Sequence, residues 1–169
     1  MRQLLLWEQE EYRVEEFEAI AGKIEDFNGK IASAICNAVN EAKFGAQSIE
    51  DLDSLGKTVV GARVEEHIRK GLAARPGIDC DCLLEGVEFD IKTTVRKNWM
   101  ISPKQVRNKS ILLLLEINDR AFSCGVIRAE EKFLSSGKNR DKKRSLSKSG
   151  KSNINWLVRS LNYSNLSPK

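Results

Sequence analysis

Asp81, Asp90 and Lys92 stand within one twelve-residue stretch, DCLLEGVEFDIK. Their types and spacing suit work on a phosphate ester. Two carboxylates held close repel each other, and one of them should titrate high. A divalent cation relieves that conflict, and an all-oxygen site suits Mg²⁺, which keeps several waters and bridges to phosphate. A lysine beside such a site can orient an attacking water or stabilise developing negative charge. The bland alternative is an exposed hairpin whose Asp and Lys form a surface ion pair.

The stretch reads as a β-hairpin with arms Cys80 to Leu84 and Val87 to Thr94 around a Glu85-Gly86 turn. Side chains alternate faces along a strand. Val87, Phe89, Ile91 and Thr93 share a mostly apolar face. Glu88, Asp90, Lys92 and Thr94 share the other, which sets Asp90 beside Lys92 and brings Asp81 across the hairpin towards Asp90.

Upstream, Lys57 to Leu72 reads as a helix, with Val60, Val64, Ile68 and Leu72 forming a seam. Glu65 lies on the flank of that seam and can reach over a sheet edge towards the hairpin carboxylates. A surface pairing with Arg69 is its plain alternative. Glu66 points to water. His67 is the only histidine, which argues against chemistry built on a histidine base or on histidine metal ligands. Cys80 and Cys82 flank Asp81, but no partner cluster for zinc exists, and small packed strand residues are the better reading.

Elsewhere the chain supplies scaffold. Residues 8–43 read as two helices broken at Asn28-Gly29, with Asn28 as a cap. Gln47 to Gly56 is a connector and Gly71 to Gly77 a loop. In Arg96 to Pro103, Lys97 and Asn98 suit phosphates or base edges, whereas Trp99 and Met100 suit packing. Ile111 to Ile117 is a buried strand by its unbroken apolar run, followed by a turn at Asn118 to Arg120 and a second strand, Ala121 to Ile127. Ser152 to Leu161 reads as a last helix with Ile154, Leu157, Val158 and Leu161 as its stripe, and the final eight residues as a frayed tail.

At 169 residues and 41% hydrophobic the chain has the make-up of one soluble domain. No apolar run reaches the length of a membrane span. The four cysteines lack disulfide spacing, and the start of the chain does not resemble a signal peptide, so a reducing cytoplasm is expected. Net charge is only +4 but unevenly placed: residues 132–169 hold ten basic side chains against one acid. Lys138, Arg140, Lys142, Lys143 and Arg144 fall in a Gly/Ser-bearing loop and could clamp phosphates. A solvated linker is the alternative. No Gly-rich nucleotide-binding loop is present, so no nucleotide cofactor is expected.

Taken together, DCLLEGVEFDIK, RKNWMISP (96–103), GKNRDKKR (137–144) and Trp156-Leu157 resemble the endonuclease domain of NaeI-type type II restriction enzymes, within the PD-(D/E)xK nuclease class. Cys80 stands where the class name has proline. The resemblance implies an α/β fold of the restriction-endonuclease-like kind, a mixed central sheet flanked by helices with the site at a sheet edge. It implies one endonuclease domain over 1–169: a helical part (1–56), a catalytic core (57–161) and a tail (162–169). It also implies Mg²⁺-dependent hydrolysis of double-stranded DNA (Mn²⁺ as a substitute), leaving 5′-phosphate and 3′-hydroxyl ends, by a homodimer. Asp81, Asp90 and the Ile91 carbonyl would bind metal, Glu65 would complete the site and Lys92 would orient the water. A MutH-like nicking repair nuclease and a DNA-binding module without catalysis are the competing readings.

Overall fold

A computed structural model describes residues 13–43 and 48–166. Residues 8–12, Gln47 and 167–169 of the expected elements lie outside the described residues.

The buried strand is confirmed and lies at the heart of a six-stranded sheet. Ile111–Ile117 (β5) has no exposed residue, and its apolar side chains serve both faces of the sheet. It pairs in parallel with Val87–Thr94 (β3) and antiparallel with Ala121–Arg128 (β6). Arg75–Pro76 (β1) and Cys82–Leu84 (β2) extend the β3 side, and Asn155–Asn162 (β8) closes the β6 side. The sheet is therefore mixed, in the order β1-β2-β3-β5-β6-β8.

Helices Val14–Lys23 (α1), Phe27–Lys43 (α2) and Ser54–Gly71 (α3) cover one face. The expected stripes are the ones buried there, among them Phe17, Ile31, Ile35, Val60, Val64 and Ile68 against Phe89, Ile91, Leu113 and Leu115. The other face carries Leu112, Leu114 and Ile127. It is covered by a two-stranded ribbon, Met100–Ile101 (β4) with Arg144–Ser145 (β7), and by the short helices Pro103–Arg107 (α4) and Lys148–Ser152 (α5). Trp99 is buried there, its indole N–H donating to the Leu115 carbonyl at 3.1 Å, so the packing reading of Trp99 holds.

Several expectations need correction. The break between the first two helices falls at Ile24 to Asp26, not at Asn28-Gly29. Asp26 takes a left-handed φ of 51° and its carboxylate accepts the Gly29 amide at 3.3 Å, so Asp26 caps α2 while Asn28 and Gly29 lie inside it. The third helix starts at Ser54, because Asp53 caps it by accepting from the Gly56 amide at 2.7 Å. The loop at Gly71 to Gly77 contains β1, and the basic loop contains β7 and the start of α5.

The clearest difference is in Ser152 to Leu161: Ser152 ends α5, and Asn155 to Leu161 form most of strand β8 instead of a helix. Two bulges explain the false helical stripe. The pairing steps from Phe122↔Leu161 to Cys124↔Val158 to Gly125↔Trp156, so the strand has extra residues at Leu157 and around Arg159 and Ser160. A bulge breaks period two. Leu157, Val158 and Leu161 consequently pack on one side of the sheet, at spacings that imitate a helix. The tail is not frayed at Tyr163, which is buried and donates its hydroxyl to the Asn118 carbonyl.

Candidate active site

The hairpin forms as expected, with the first arm shortened to β2. Glu85 and Gly86 both take positive φ, 50° and 80°, the two-residue turn whose twist matches paired strands and for which glycine is suited. The pairing ends at Cys82↔Phe89, with Asp81 and Asp90 the next residue on each arm. The Asp81 amide donates to Asp90 Oδ1 at 2.7 Å. Because β2 pairs only Val87–Phe89, β3 has an open edge from Asp90 onwards. Glu65, on the helical face, lies within electrostatic reach of Asp90 and Lys92, on the opposite face, around that edge.

The electrostatics record the crowding. Partial burial of its carboxyl, then the Asp90 and Glu65 carboxylates, push Asp81 up to about 6, with Lys92 opposing. Glu65 is raised by burial; Arg69 and Lys92 oppose the rise and Asp90 adds to it. Arg69 thus touches Glu65 electrostatically without taking it out of the site. Lys92 is lowered by burial and then by Lys143, against the pull of Asp90, Asp81 and Glu65. Its ammonium donates to the Met100 carbonyl at 2.8 Å. Glu66 is bound to Arg63 and Lys70 at the surface, away from the site.

Two further side chains, buried Glu88 and half-buried Gln105, hold the carboxylates in place, and sequence reasoning missed both roles. Glu88, only 7% exposed, accepts the Ile78 amide and, at 3.0 Å, the Asp79 amide. It thereby pins the loop that delivers Asp81. A side chain at Gly77 would collide with the Cys80 carbonyl and Glu88 Oε1, so that loop needs its glycine. Gln105, on α4, donates from Nε2 to Asp90 Oδ2 at 2.8 Å. Ser102-Pro-Lys-Gln105 is legible as a capping box; that its amide faces Asp90 is not.

Among the described residues no three of His, Cys, Asp and Glu are grouped as a ready-made metal cage. The donors that converge are the Asp81 and Asp90 carboxylates, with Glu65 at longer range. Two carboxylates with an unresolved repulsion fit a hard, water-rich cation such as Mg²⁺, which needs few protein ligands. They do not fit zinc. All four cysteines are free, and burial raises the Cys80 and Cys82 thiols to about 11 and about 12.

Beside the site, a cavity of about 630 Å³ runs between α3 and the segment after β3. Glu65, Lys92, Asn98 and Lys143 line it, together with Lys57 and Arg96. The last two were not singled out as contacts. Lys97 lines a separate cavity of about 400 Å³ with Glu50 and Glu116. Lys138, Arg140 and Lys142 are exposed on the basic loop. Arg144 is already committed: its guanidinium pairs with Glu131 and donates to the Ser135 carbonyl at 2.6 Å.

A mixed sheet flanked by helices, with Asp90 and Lys92 on a central strand and Asp81 and Glu65 closing around its open edge, defines a restriction-endonuclease-like fold. The family model described as restriction endonuclease NaeI matches residues 14–165, and the chain belongs to that family. Over 111 residues, 65% of its length, it is 24% identical to the type II restriction enzyme NaeI of Lentzea aerocolonigenes. That match spans 35% of the enzyme.

Proposed function

We propose that this chain is the catalytic domain of a type II site-specific endonuclease, hydrolysing phosphodiesters of double-stranded DNA with Mg²⁺. The observation that carries the reading is the convergence of Glu65, Asp81, Asp90 and Lys92 on one open strand edge beside a cation-lined groove. Asp81, Asp90 and the Ile91 carbonyl would hold the cation, with Glu65 completing the shell. The cation would supply Lewis-acid stabilisation of charge on the phosphate. Lys92, steadied by the Met100 carbonyl, orients the water and stabilises the charge that develops as water adds to phosphorus. The bond to the 3′ oxygen breaks, leaving 5′-phosphate and 3′-hydroxyl ends. Lys57, Arg96, Asn98 and Lys143 take the flanking phosphates, and Lys138, Arg140 and Lys142 extend the positive surface.

Two copies on a twofold axis would cut both strands of a palindrome. Supercoiled plasmid in Mg²⁺ tests this. Linear product from one binding event is expected for the dimer. A nicked circle alone would favour the nicking repair nuclease, and salt-sensitive binding without cleavage would favour a DNA-binding module.

Two further results are expected. Lys138→Ala with Arg140→Ala should lower the slope of log affinity against log salt by about 2, since each phosphate contact releases roughly 0.9 counterion. An unchanged slope would make the loop a linker. Asp81→Asn should raise the melting temperature of metal-free protein, on the order of 2 °C, because an amide can donate to Asp90 where a carboxylate repels it. The same substitution should abolish the stabilisation that Mn²⁺ gives the parent chain. A lower metal-free melting temperature would mean that the two carboxylates are not in conflict.

A further inference from the structure

Both oxygens of the Asp90 carboxylate are taken. Oδ1 accepts the Asp81 amide at 2.7 Å and Oδ2 accepts Gln105 Nε2 at 2.8 Å. Asp90 is 5% exposed, so the two bonds fix its orientation and leave its remaining lone pairs for whatever enters the site. The Gln105 amide is itself fixed. Its Oε1 accepts the Ser102 backbone N–H at 3.0 Å. The oxygen must face that donor, so the NH₂ end must face Asp90. Five residues earlier in the chain, the Met100 carbonyl takes the Lys92 ammonium at 2.8 Å. One short segment, from β4 into α4, therefore grips both charged ends of the Asp90-x-Lys92 pair.

We propose that Met100 to Gln105 is a positioning clamp for that pair, and that Gln105 is a positioning residue which presents Asp90 to the cation. The inference rests on the nuclease reading and deepens it. The rival role for Gln105 is purely structural, as the N3 residue of the capping box that starts α4. The two roles separate cleanly. Ser102→Ala removes the hydroxyl that caps the helix but keeps the backbone N–H that orients Gln105. Gln105→Met keeps the side-chain bulk and removes the amide. Gln105→Glu keeps the capping acceptor but cannot donate to Asp90, so it repeats the test with the helix start intact.

The experiment measures the Mn²⁺ concentration for half-maximal cleavage and, without DNA, the rise in melting temperature that Mn²⁺ causes. Residues that orient a metal ligand typically change metal affinity or activity by about 10- to 100-fold. Gln105→Met should raise the half-maximal Mn²⁺ concentration by about that factor and shrink the DNA-free thermal response. Gln105→Glu should lose cleavage rate at saturating Mn²⁺. Ser102→Ala should match the parent chain in both readouts, even where its metal-free melting temperature falls. A parental Mn²⁺ response in Gln105→Met, or an equal loss in Ser102→Ala, would overturn the clamp while leaving the nuclease reading in place. A parent chain with neither response nor cleavage would overturn both.

Discussion

Lys92→Ala is expected to slow DNA cleavage by about 10²- to 10⁴-fold, the usual contribution of a side chain that manages the proton or charge in the transition state. Folding and DNA affinity in Ca²⁺ should be little changed. Lys92 is mostly shielded from water, and burial lowers its pKa. Its ammonium therefore sits at a desolvation cost that only nearby carboxylates and the Met100 carbonyl offset. Losing such a group removes a strained charge along with one hydrogen bond, and the two effects oppose each other in stability. They do not oppose each other in catalysis, because Lys92 is the only cation of β3 itself, and the neighbouring Lys143 belongs to the basic loop. Asp90→Asn should abolish cleavage as well, but with a stability penalty. Its two donors, the Asp81 amide and Gln105 Nε2, would face a side chain with one oxygen where there had been two. Single-turnover cleavage with thermal melting checks both variants. A Lys92→Ala protein that cuts at the parental rate would remove lysine from the mechanism.

The second large effect is structural and lies one residue before Asp90. Phe89→Ala should cost about 3–5 kcal/mol, which for a domain of this size lowers the melting temperature on the order of 10 °C. Phe89 is fully buried. Its ring meets Phe17 edge-to-face at a centroid distance of 4.9 Å, within a cluster that also contains Val60, Val64 and Ile111. No rigid neighbour can collapse into the space, since α1, α3 and β5 are each held elsewhere in the core. Because Phe89 and Asp90 point to opposite faces of β3, the variant should lose stability far more than rate at temperatures where it remains folded. A loss of under about 1 kcal/mol in urea melts would contradict the packing described here.

How far the sequence could be read depended on how local each signal is. The Asp90–Lys92 pair was legible because strand alternation is a local rule and a two-residue turn with glycine fixes the register of its hairpin. Glu65 was legible because the helical seam Val60-Val64-Ile68 set its direction. The roles of Glu88 and Gln105 were not. Glu88 shares the polar face with Asp90, and nothing nearby in sequence says that its carboxylate binds the amides of Ile78 and Asp79. Gln105 announces a capping box, but its contact with Asp90 spans fifteen residues and a change of direction. Arg144 shows a converse case. In sequence it is one of five cations in a basic run, whereas in the fold Glu131 and Ser135 hold it. The strand at Asn155–Asn162 was misread because bulges disguise period two, and their positions depend on the partner strand.

The proposed chemistry is hydrolysis of DNA by water at the Asp81–Asp90–Lys92 edge. Cleavage of an end-labelled mixed-sequence DNA in ¹⁸O-enriched water, with Mg²⁺ and with EDTA, tests it most directly. Cuts at discrete positions in Mg²⁺, one ¹⁸O atom on each new 5′-phosphate, free 3′-hydroxyls and no cutting in EDTA are expected. Intact DNA in Mg²⁺, 3′-phosphate ends, or equal cutting in EDTA would contradict it.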